Sequence, residues 1–487
     1  MKKCIRVIIL ISFIIIFGLL ISGCQSSEAE IKTVQETSEE VISETVLPTS
    51  TKTTEKTKKP TASPTISPLF DFEAKDLEGT MIYFWHPWAA EIGFSMEQIV
   101  AKFNQENVWG ITVRVQAEGG SNALFEKIKQ NVHEGQLPHL TVGSLDQMLV
   151  WQESRDILVD INPYIHDLDW GLSSAELSDI PNAFWESDQF DEHQYAVPAV
   201  RDYQVLYYNQ TWAKELGFDA PPTNLEEFRA QTCAASQIML EDRLGANDGT
   251  GGWIVNMDPL VVLSWMQAFG VEGWPETDAG KYHFNSKEMK NMLSTLRELF
   301  DDGCIWISRE PSPYKYFARR EALIYSGSLQ DISYQRKVLL DNGSADEWIL
   351  LTYPTEKGID PFVVADGASY AILESSPEEQ LASWLFIRWL LRSENQVTIA
   401  DQYNGLPVGR EAASEMEKKM AAYKQWPAVL FWSPIAVHEP SLESWQTVRP
   451  ILQDAFWQTF QADITPDNIP DILEIMDDTI EEVGKMD

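Results

Sequence analysis

The chain has 487 residues and a formal net charge of −37, and 44% of its residues are hydrophobic. This strong negative charge repels nucleic acid and anionic lipid, so neither is a partner that charge could hold. Aromatic side chains occur throughout the part of the chain that follows residue 68. That part is longer than one ordinary hydrophobic core requires, and we expect two domain-sized bodies.

The N-terminus has the pattern of a secretory signal. Three basic residues, the last of them Arg6, precede an apolar run over 7–21, and Ile-Ser-Gly-Cys then ends at Cys24. Such a run is shorter than the roughly 20 residues that span a bilayer. The ending resembles the lipobox of bacterial lipoproteins, which implies a signal peptide at 1–23 and lipidation of Cys24. An uncleaved N-terminal anchor helix is the alternative, and both interpretations export the protein.

Residues 24–68 are predicted to form the lipidated Cys and a disordered tether. Ser, Thr, Pro and charged residues dominate this segment, and the first aromatic ring after it is Phe70. A segment of this composition cannot bury enough apolar surface to offset the entropy of ordering. As a flexible coil it would span on the order of 35 to 40 Å. The lipid would therefore hold a folded body outside the bacterial cell membrane and clear of it.

Two cysteines remain for the folded part of the chain. They are Cys233 and Cys304, and an even pair in an exported protein is a candidate disulfide. Two isolated buried thiols are the alternative.

The first folded segment alternates between strand and helix patterns. In chain order we predict a strand at 80–85, a helix at 94–107, a strand at 111–115, a helix at 121–132 and a strand at 139–142. This alternation predicts a parallel sheet with helices on its faces. Ligands bind at the carboxyl ends of strands in such sheets, so the loops at 85–88, 119–121 and 143–144 are candidate binding loops.

The alternation resumes in the second part of the chain. We predict strands at 195–208, 322–326 and 362–373, with the last one broken at Asp366-Gly367, and helices at 225–239, 259–269, 287–300, 377–391, 444–461 and 466–483. No repeat of 20 to 50 residues is present in the sequence, which argues against a solenoid or a propeller.

Three segments of this second part carry a family resemblance. They are the Pro-containing strand 195–209 that ends in Tyr-Asn before a helix, the apolar strand 322–328 that ends in Ser-Gly-Ser, and the strand and helix at 360–384. In order and spacing they resemble the family 1 extracellular solute-binding proteins, the maltose-binding-protein-like receptors of sugar-importing ABC transporters.

The resemblance implies an α/β fold of the two-lobed periplasmic-binding-protein type (type II-like). Its two discontinuous domains would be joined by crossing strands at a hinge and would close on a ligand. Lobe 1 would comprise 79–200 plus 368–406, and lobe 2 would comprise 203–365 plus 410–487. The implied function is that of a monomeric, lipid-anchored receptor that passes a carbohydrate, in particular an oligosaccharide, to ABC permease subunits. No enzyme activity, cofactor or metal is expected.

A sugar site needs polar groups for the hydroxyls and flat aromatic rings for the C–H faces. The candidate ligand-binding residues are Trp85, His86, Trp88, Gly120, Ser121, Ser144, Asp146, Arg201, Asp202, Tyr203, Trp253, Ser326, Gly327, Ser328, Asp366 and Tyr370. The resemblance places Asp202 where the family presents a carboxylate to the sugar.

Each candidate also has a structural interpretation. Arg201 and Asp202 could together hold the hinge, and Trp85, Trp88 and Trp253 could be core or rim aromatics.

Two other functions are compatible with the sequence. A glycoside hydrolase would need two placed carboxyl groups, which sequence alone cannot exclude. The chain has no Gly-x-Ser-x-Gly, His-Glu-x-x-His or P-loop motif, however, and its His residues are scattered. A surface adhesin or scaffold would need no cleft lined with aromatic rings. For a receptor, peptide, polyamine and iron-complex ligands remain alternatives to sugar.

Overall fold

The computed structural model describes residues 72–275, 280–421, 423–430 and 432–484. The predictions for the signal peptide, Cys24 and the tether lie outside these residues. None of the helices within them combines the length and the hydropathy that a bilayer crossing requires.

The helices follow one another along the whole described chain. They are α1 (Ala90–Glu106), α2 (Ser121–Asn131), α3 (Leu145–Ser154), α4 (Asn162–Ile165), α5 (Ser174–Asp179), α6 (Asn182–Glu186), α7 (Gln210–Glu215), α8 (Leu225–Glu241), α9 (Pro259–Ala268), α10 (Lys287–Asp301), α11 (Tyr314–Ala318), α12 (Asp331–Asp341), α13 (Pro377–Leu390), α14 (Ser393–Tyr403), α15 (Arg410–Lys419), α16 (Trp426–Val429), α17 (Trp445–Thr459) and α18 (Ile469–Val483), with short 3₁₀ helices at Ala74–Leu77, Ser433–Ile435 and Pro466–Asn468.

The strands alternate with these helices. They are β1 (Met81–His86), β2 (Thr112–Ala117), β3 (Leu140–Gly143), β4 (Gln189–Phe190), β5 (His193–Gln194), β6 (Val197–Asn209), β7 (Gly251–Val255), β8 (Ile305–Ile307), β9 (Ala322–Ser328), β10 (Trp348–Leu351), β11 (Val363–Ile372) and β12 (Ala436–His438).

Ten of these strands form one sheet in the order β2-β1-β3-β11-β6-β9-β7-β8, with β10 also paired to β6 and β12 to β11. The strands β1, β2 and β3 pair in parallel, and so do β7, β8 and β9. The long strands β6 and β11 join these two parallel groups through antiparallel pairs. The predicted α/β architecture with two crossing strands is therefore confirmed, whereas the exact lobe boundaries stay a prediction.

Each parallel group has its own hydrophobic core. Around β1, the apolar face of α1 is buried at the predicted spacing, and Phe103 contacts Phe386 of α13 with ring centroids 4.9 Å apart. Around β7, Trp253 packs edge-on against Trp265 of α9 at 5.2 Å. Because the two cores lie on different strands, β6 and β11 are the elements that connect them.

The second crossing strand is continuous rather than broken at Asp366-Gly367. Its register against β6 shifts between Ala368 and Ser369. Gly367 has φ +152°, and a Cβ atom there would lie 2.2 Å from the carbonyl oxygen of Val200. Only glycine allows the two crossing strands to approach this closely.

The predicted disulfide is present. Cys233 of α8 and Cys304, directly before β8, are bonded with their Cα atoms 4.2 Å apart, and 71 residues separate them along the chain. The bond fastens a helix of the β7 core to the edge of its sheet.

We predict that replacing both cysteines, Cys233→Ser with Cys304→Ser, lowers the free energy of unfolding by about 4 kcal/mol. The reason is that the unfolded chain regains the entropy of a closed loop of this length. Urea titration of the oxidised wild type and the double variant measures the change, and the reduced wild type is the control. Equal midpoints for the oxidised and reduced wild type would contradict the prediction.

Candidate functional site

The crossing strand β6 lies between two cavities. All of its residues are buried, and consecutive side chains point to opposite faces of the sheet. Arg201 lines a small cavity of about 50 Å³ and Asp202 lines a larger one of about 280 Å³. Asp366, which pairs with Asp202 in the register of β11, borders both cavities.

The larger cavity has a polar lining with aromatic rings. The residues that line it are Asp202, Tyr203, Gln204, Asn256, Asp258, Leu260, Pro311, Pro313, Tyr314, Ser326, Gly327, Ser328, Gln330, Asp331 and Asp366. They come from β6 and β11, the C-terminal end of β9, the loop after β7 with the start of α9, the segment that leads into α11, and the start of α12. This is the carboxyl-end position at which α/β sheets bind ligands.

Asp202 is a buried acceptor held in place by amides. Its Oδ1 accepts hydrogen bonds from the backbone N–H groups of Tyr203 (2.7 Å) and Leu329 (2.8 Å), and its Oδ2 accepts one from the side chain of Gln330 (2.8 Å). Burial raises its pKa to about 6, and the hydrogen bond from Gln330 opposes that rise. Asp202 is therefore mainly ionised at neutral pH.

The end of β9 is held from behind by aromatic side chains. The Ser326 hydroxyl accepts hydrogen bonds from the indole N–H of Trp253 (3.1 Å) and from the hydroxyl of Tyr353 (2.9 Å). Trp253 is fully buried, so its indole lies in the core behind the cavity wall. Ser328 donates its backbone N–H to Asp331 at 3.1 Å, and this bond orients the carboxylate.

Arg201 fastens the crossing strands to the polypeptide around α6. It is 4% exposed, and its guanidinium pairs with buried Asp188 at 2.9 Å. It also donates to the carbonyl oxygens of Phe184 and Ala368 and to the hydroxyl of Ser369. These contacts describe the hinge-holding role that the sequence left open, although the partner is Asp188 rather than Asp202.

The small cavity borders a cluster of charges that links α3 to α17. Arg449 of α17 lies 3.2 Å from the Glu439 carboxylate and 3.9 Å from that of Asp146, which also accepts a hydrogen bond from Gln446. Burial raises the pKa of Glu439 to about 8; Arg449 opposes this rise, and the nearby carboxylates of Asp146 and Asp366 add to it. The predicted residues Ser144 and Asp146 lie at this cavity.

Nine of the sixteen predicted site residues line one of the two cavities, and seven do not. The seven are Trp85, His86, Trp88, Gly120, Ser121, Trp253 and Tyr370. Lys127 Nζ lies 4.0 Å from the ring centroid of Trp85, and Trp88 is buried beside His86. Tyr370 packs edge-on against Phe84 in the β1 core, with ring centroids 6.3 Å apart.

Several lining residues were not among the predicted ones. The main examples are Asp188, Asn256, Asp258, Tyr314, Gln330, Asp331 and Glu439. For Gln330 and Asp331 a usable signal existed, because they directly follow the predicted strand end at 326–328. No group of three or more His, Cys, Asp or Glu side chains among the described residues could hold a metal ion.

His86 provides a test of the core around β1. It is 1% exposed, and burial lowers its pKa from 6.5 to about 4. The fold therefore favours neutral histidine, and the stability this provides is present above pH 6.5 and is lost as pH falls toward 4. We predict that between pH 7 and pH 4.5 the wild type loses about 2 to 3 kcal/mol more unfolding free energy than His86→Gln does.

Urea titrations at the two pH values measure this difference. His133→Gln, at an exposed histidine, is the matched control and should follow the wild type. Parallel losses in the wild type and His86→Gln would show that His86 does not titrate in this range.

Comparison with known proteins assigns the family. Residues 98–430 match the family model of bacterial extracellular solute-binding proteins. The chain belongs to this family. Its sequence is also 23% identical over 425 residues to the sn-glycerol-3-phosphate-binding periplasmic protein UgpB of Salmonella typhimurium. The aligned residues cover 85% of this chain and 89% of that protein.

Solved structures of sugar-binding proteins share the fold. The cyclic alpha-maltosyl-1,6-maltose binding protein from Arthrobacter globiformis superposes with a TM-score of 0.69 at 17% identity, over 82% of this chain and 98% of that one. The sugar-binding protein MalE from Xanthomonas citri gives 0.67 at 17% identity, over 84% and 98%. The two-lobed fold expected of this solute-binding protein is thus confirmed.

Proposed function

We propose that this solute-binding protein is the lipid-anchored receptor of an ABC importer and that its solute is a carbohydrate. The observation that carries the proposal is the cavity of about 280 Å³ beside the crossing strands, with its lining of carboxylates, amides, hydroxyls and tyrosine rings. Relatives with the same fold are named for maltose-type and other sugars, which supports this class of solute.

The lining matches the surface of a sugar. Sugar hydroxyls can donate to the carboxylates of Asp202 and Asp331, and they can accept from the amide of Asn256. The ring of Tyr314 offers a flat surface for the C–H faces.

The crossing strands allow binding to be coupled to closure. Asp202 and Asp366 lie on β6 and β11, the strands that connect the two parallel groups, so a ligand at these residues contacts the hinge. Gln330 and Asp331 reach the same cavity from the second group. A ligand shifts an open-closed equilibrium only by its differential affinity for the two states, and contacts at the hinge and beyond it can supply that difference.

The proposal includes the anchoring and the partners. The lipid on Cys24 holds the monomer outside the cell membrane, and the closed form docks on permease subunits of the transporter. No cofactor and no covalent step are involved.

A hydrolase needs a free acid with a raised pKa beside a second carboxylate. Glu439 has the raised pKa, but Arg449 and Trp445 hold its carboxylate, which favours a structural role.

Calorimetric titration of the refolded chain against α- and β-linked glucans, xylans and mannans tests the solute class. We expect one-to-one binding without product formation. Asp202→Ala should weaken binding of the identified sugar about tenfold, because a charged acceptor is lost. Asp471→Ala, at an exposed carboxylate of α18, is the control and should bind like the wild type.

Other outcomes would overturn parts of the proposal. Unchanged affinity in Asp202→Ala would remove that residue from the site. Slow heat with release of smaller sugars would indicate a hydrolase. A folded sample that binds no sugar would exclude the tested carbohydrates as solutes.

Mass spectrometry of membrane-extracted protein tests the anchor. We expect a chain that begins at Cys24 and carries the mass of a diacylglyceryl group. Cys24→Ser should lose both the lipid and the cleavage, because the thiol is the acceptor. A wild-type chain that retains residues 1–23 without lipid would instead show an uncleaved anchor helix.

A further inference from the structure

The wall of the larger cavity contains a serine hydroxyl that is held by two hydrogen-bond donors. Ser326 of β9 lines the cavity and is 2% exposed. Its hydroxyl oxygen accepts from the indole N–H of Trp253 at 3.1 Å and from the hydroxyl of Tyr353 at 2.9 Å. Trp253 and Tyr353 are not part of the cavity lining, so both bonds reach Ser326 from the core.

The direction of these bonds follows from groups that have only one possible role. An indole N–H can only donate, and a backbone carbonyl oxygen can only accept. The side-chain amide of Gln204 lies 3.0 Å from the carbonyl oxygen of Gly327, so it must present its nitrogen there. The same nitrogen donates to the Tyr353 hydroxyl at 3.4 Å. Tyr353 therefore uses its own proton elsewhere, and the oxygen of Ser326 is the acceptor.

The remaining hydrogen-bonding capacity of this wall has a fixed polarity. A serine hydroxyl has two lone pairs and one proton. Trp253 and Tyr353 occupy both lone pairs of Ser326, and its proton has no acceptor among the described residues. The direction that remains is toward the cavity. Beside it, Gln204 has both amide N–H groups engaged, which leaves its oxygen as an acceptor. The wall therefore offers one donor and one acceptor that cannot exchange roles.

We infer that Ser326 donates its hydroxyl proton to an oxygen atom of the bound sugar and that Tyr353 and Trp253 are positioning residues that fix this polarity. The inference rests on the proposed function, since it names how the same cavity recognises its solute. A sugar hydroxyl fits this wall because it can accept from Ser326 and donate to Gln204. A group that can only donate leaves the Ser326 proton unpaired, and an unpaired buried donor weakens binding.

Sugars in which one hydroxyl is replaced test this polarity. Fluorine on carbon accepts a hydrogen bond weakly and cannot donate one, whereas hydrogen on carbon does neither. The probes are maltose, cellobiose, xylobiose and mannobiose, each with its monodeoxy and monodeoxyfluoro forms, titrated against the refolded full-length chain. At the position that Ser326 contacts, we expect the fluoro form to bind about threefold more tightly than the deoxy form. Where the sugar donates to a carboxylate such as Asp202, fluorine should bring no gain.

Three variants assign the effect to the serine and its positioning residue. Ser326→Ala removes the donor, so the fluoro and deoxy forms should bind equally at that position. Tyr353→Phe removes only the hydroxyl that holds the serine oxygen, and the preference for fluorine should fall because the serine proton can then turn away from the sugar. Tyr208→Phe is the control. It removes another buried hydroxyl of the same core, which is bonded to Gln231 at 2.7 Å, and should keep the preference.

Neutron diffraction from crystals of the unliganded protein tests the polarity without any substitution. We expect the exchanged deuterons of Trp253 and Tyr353 to point to the Ser326 oxygen, and the deuteron of Ser326 to point into the cavity. Ser264 also lies near Tyr353, and its hydroxyl donates to the carbonyl oxygen of Leu260 at 2.7 Å. A Tyr353 deuteron that points to Ser264, or a Ser326 deuteron that points to Tyr353, would overturn the inference.

The binding outcomes distinguish this inference from the proposed function. A sugar that binds with equal affinity in its fluoro and deoxy forms at every position would overturn the inference and leave a carbohydrate receptor. A preference for fluorine that Ser326→Ala does not remove would do the same, because another donor would cause it. Absence of binding of all four sugars would overturn the inferred contact, and the titrations with glucans, xylans and mannans would decide on the proposed function separately.

Discussion

The buried ion pair between Arg201 and Asp188 is the contact on which the arrangement of the two parallel groups depends. Desolvating two charges is costly unless further hydrogen bonds satisfy them. Here the guanidinium also binds carbonyl oxygens and hydroxyls from the polypeptide around α6 and from β11, and Ser369 donates to Asp188 at 2.7 Å. The pair thereby fixes β6 against β11 and against the polypeptide that leads into it. Loss of either partner would leave a buried charge without compensation.

Consecutive side chains of β6 point to opposite faces of the sheet, so Arg201 can hold the strands together while Asp202 faces the candidate binding site. Arg201 points to the side where α6 lies, and Asp202 points to the larger cavity. Gly367 of β11 completes this arrangement, since any side chain there would collide with the carbonyl of Val200 and push the crossing strands apart. The hinge and the candidate site therefore share one stretch of backbone, and a movement of one changes the geometry of the other.

Periodicity and strand ends predicted most of the fold, because they report local burial. The apolar face of α1, the crossing strand β6 and the pairing of the two cysteines were predicted correctly.

An aromatic residue at a strand end has the same pattern whether it faces a cavity or a core. Sequence alone therefore could not distinguish the buried Trp253 from a ligand-facing ring. The glycine before Trp253 does not mark a binding loop. A Cβ atom at Gly252 would lie 1.8 Å from the carbonyl oxygen of Cys304. The glycine serves the close pairing of β7 with β8 and not an open loop. Glu439 and Arg449 lie far along the chain from Asp146, and only packing of α17 near α3 brings them together.

Arginine side chains accompany the acidic groups around the small cavity but not Asp202 and Asp331 of the larger cavity, and this difference indicates different roles for the two groups. Asp188, Asp146 and Glu439 each have an arginine within 4 Å, and these contacts hold elements of the fold together. The carboxylates of Asp202 and Asp331 receive hydrogen bonds only from neutral groups of the described chain. Folding alone gains nothing from leaving charge unbalanced in a recess, since burial without a cation raises the free energy of the folded state. Such a cost is retained where a bound solute relieves it, and a solute that relieves it must bring hydrogen-bond donors.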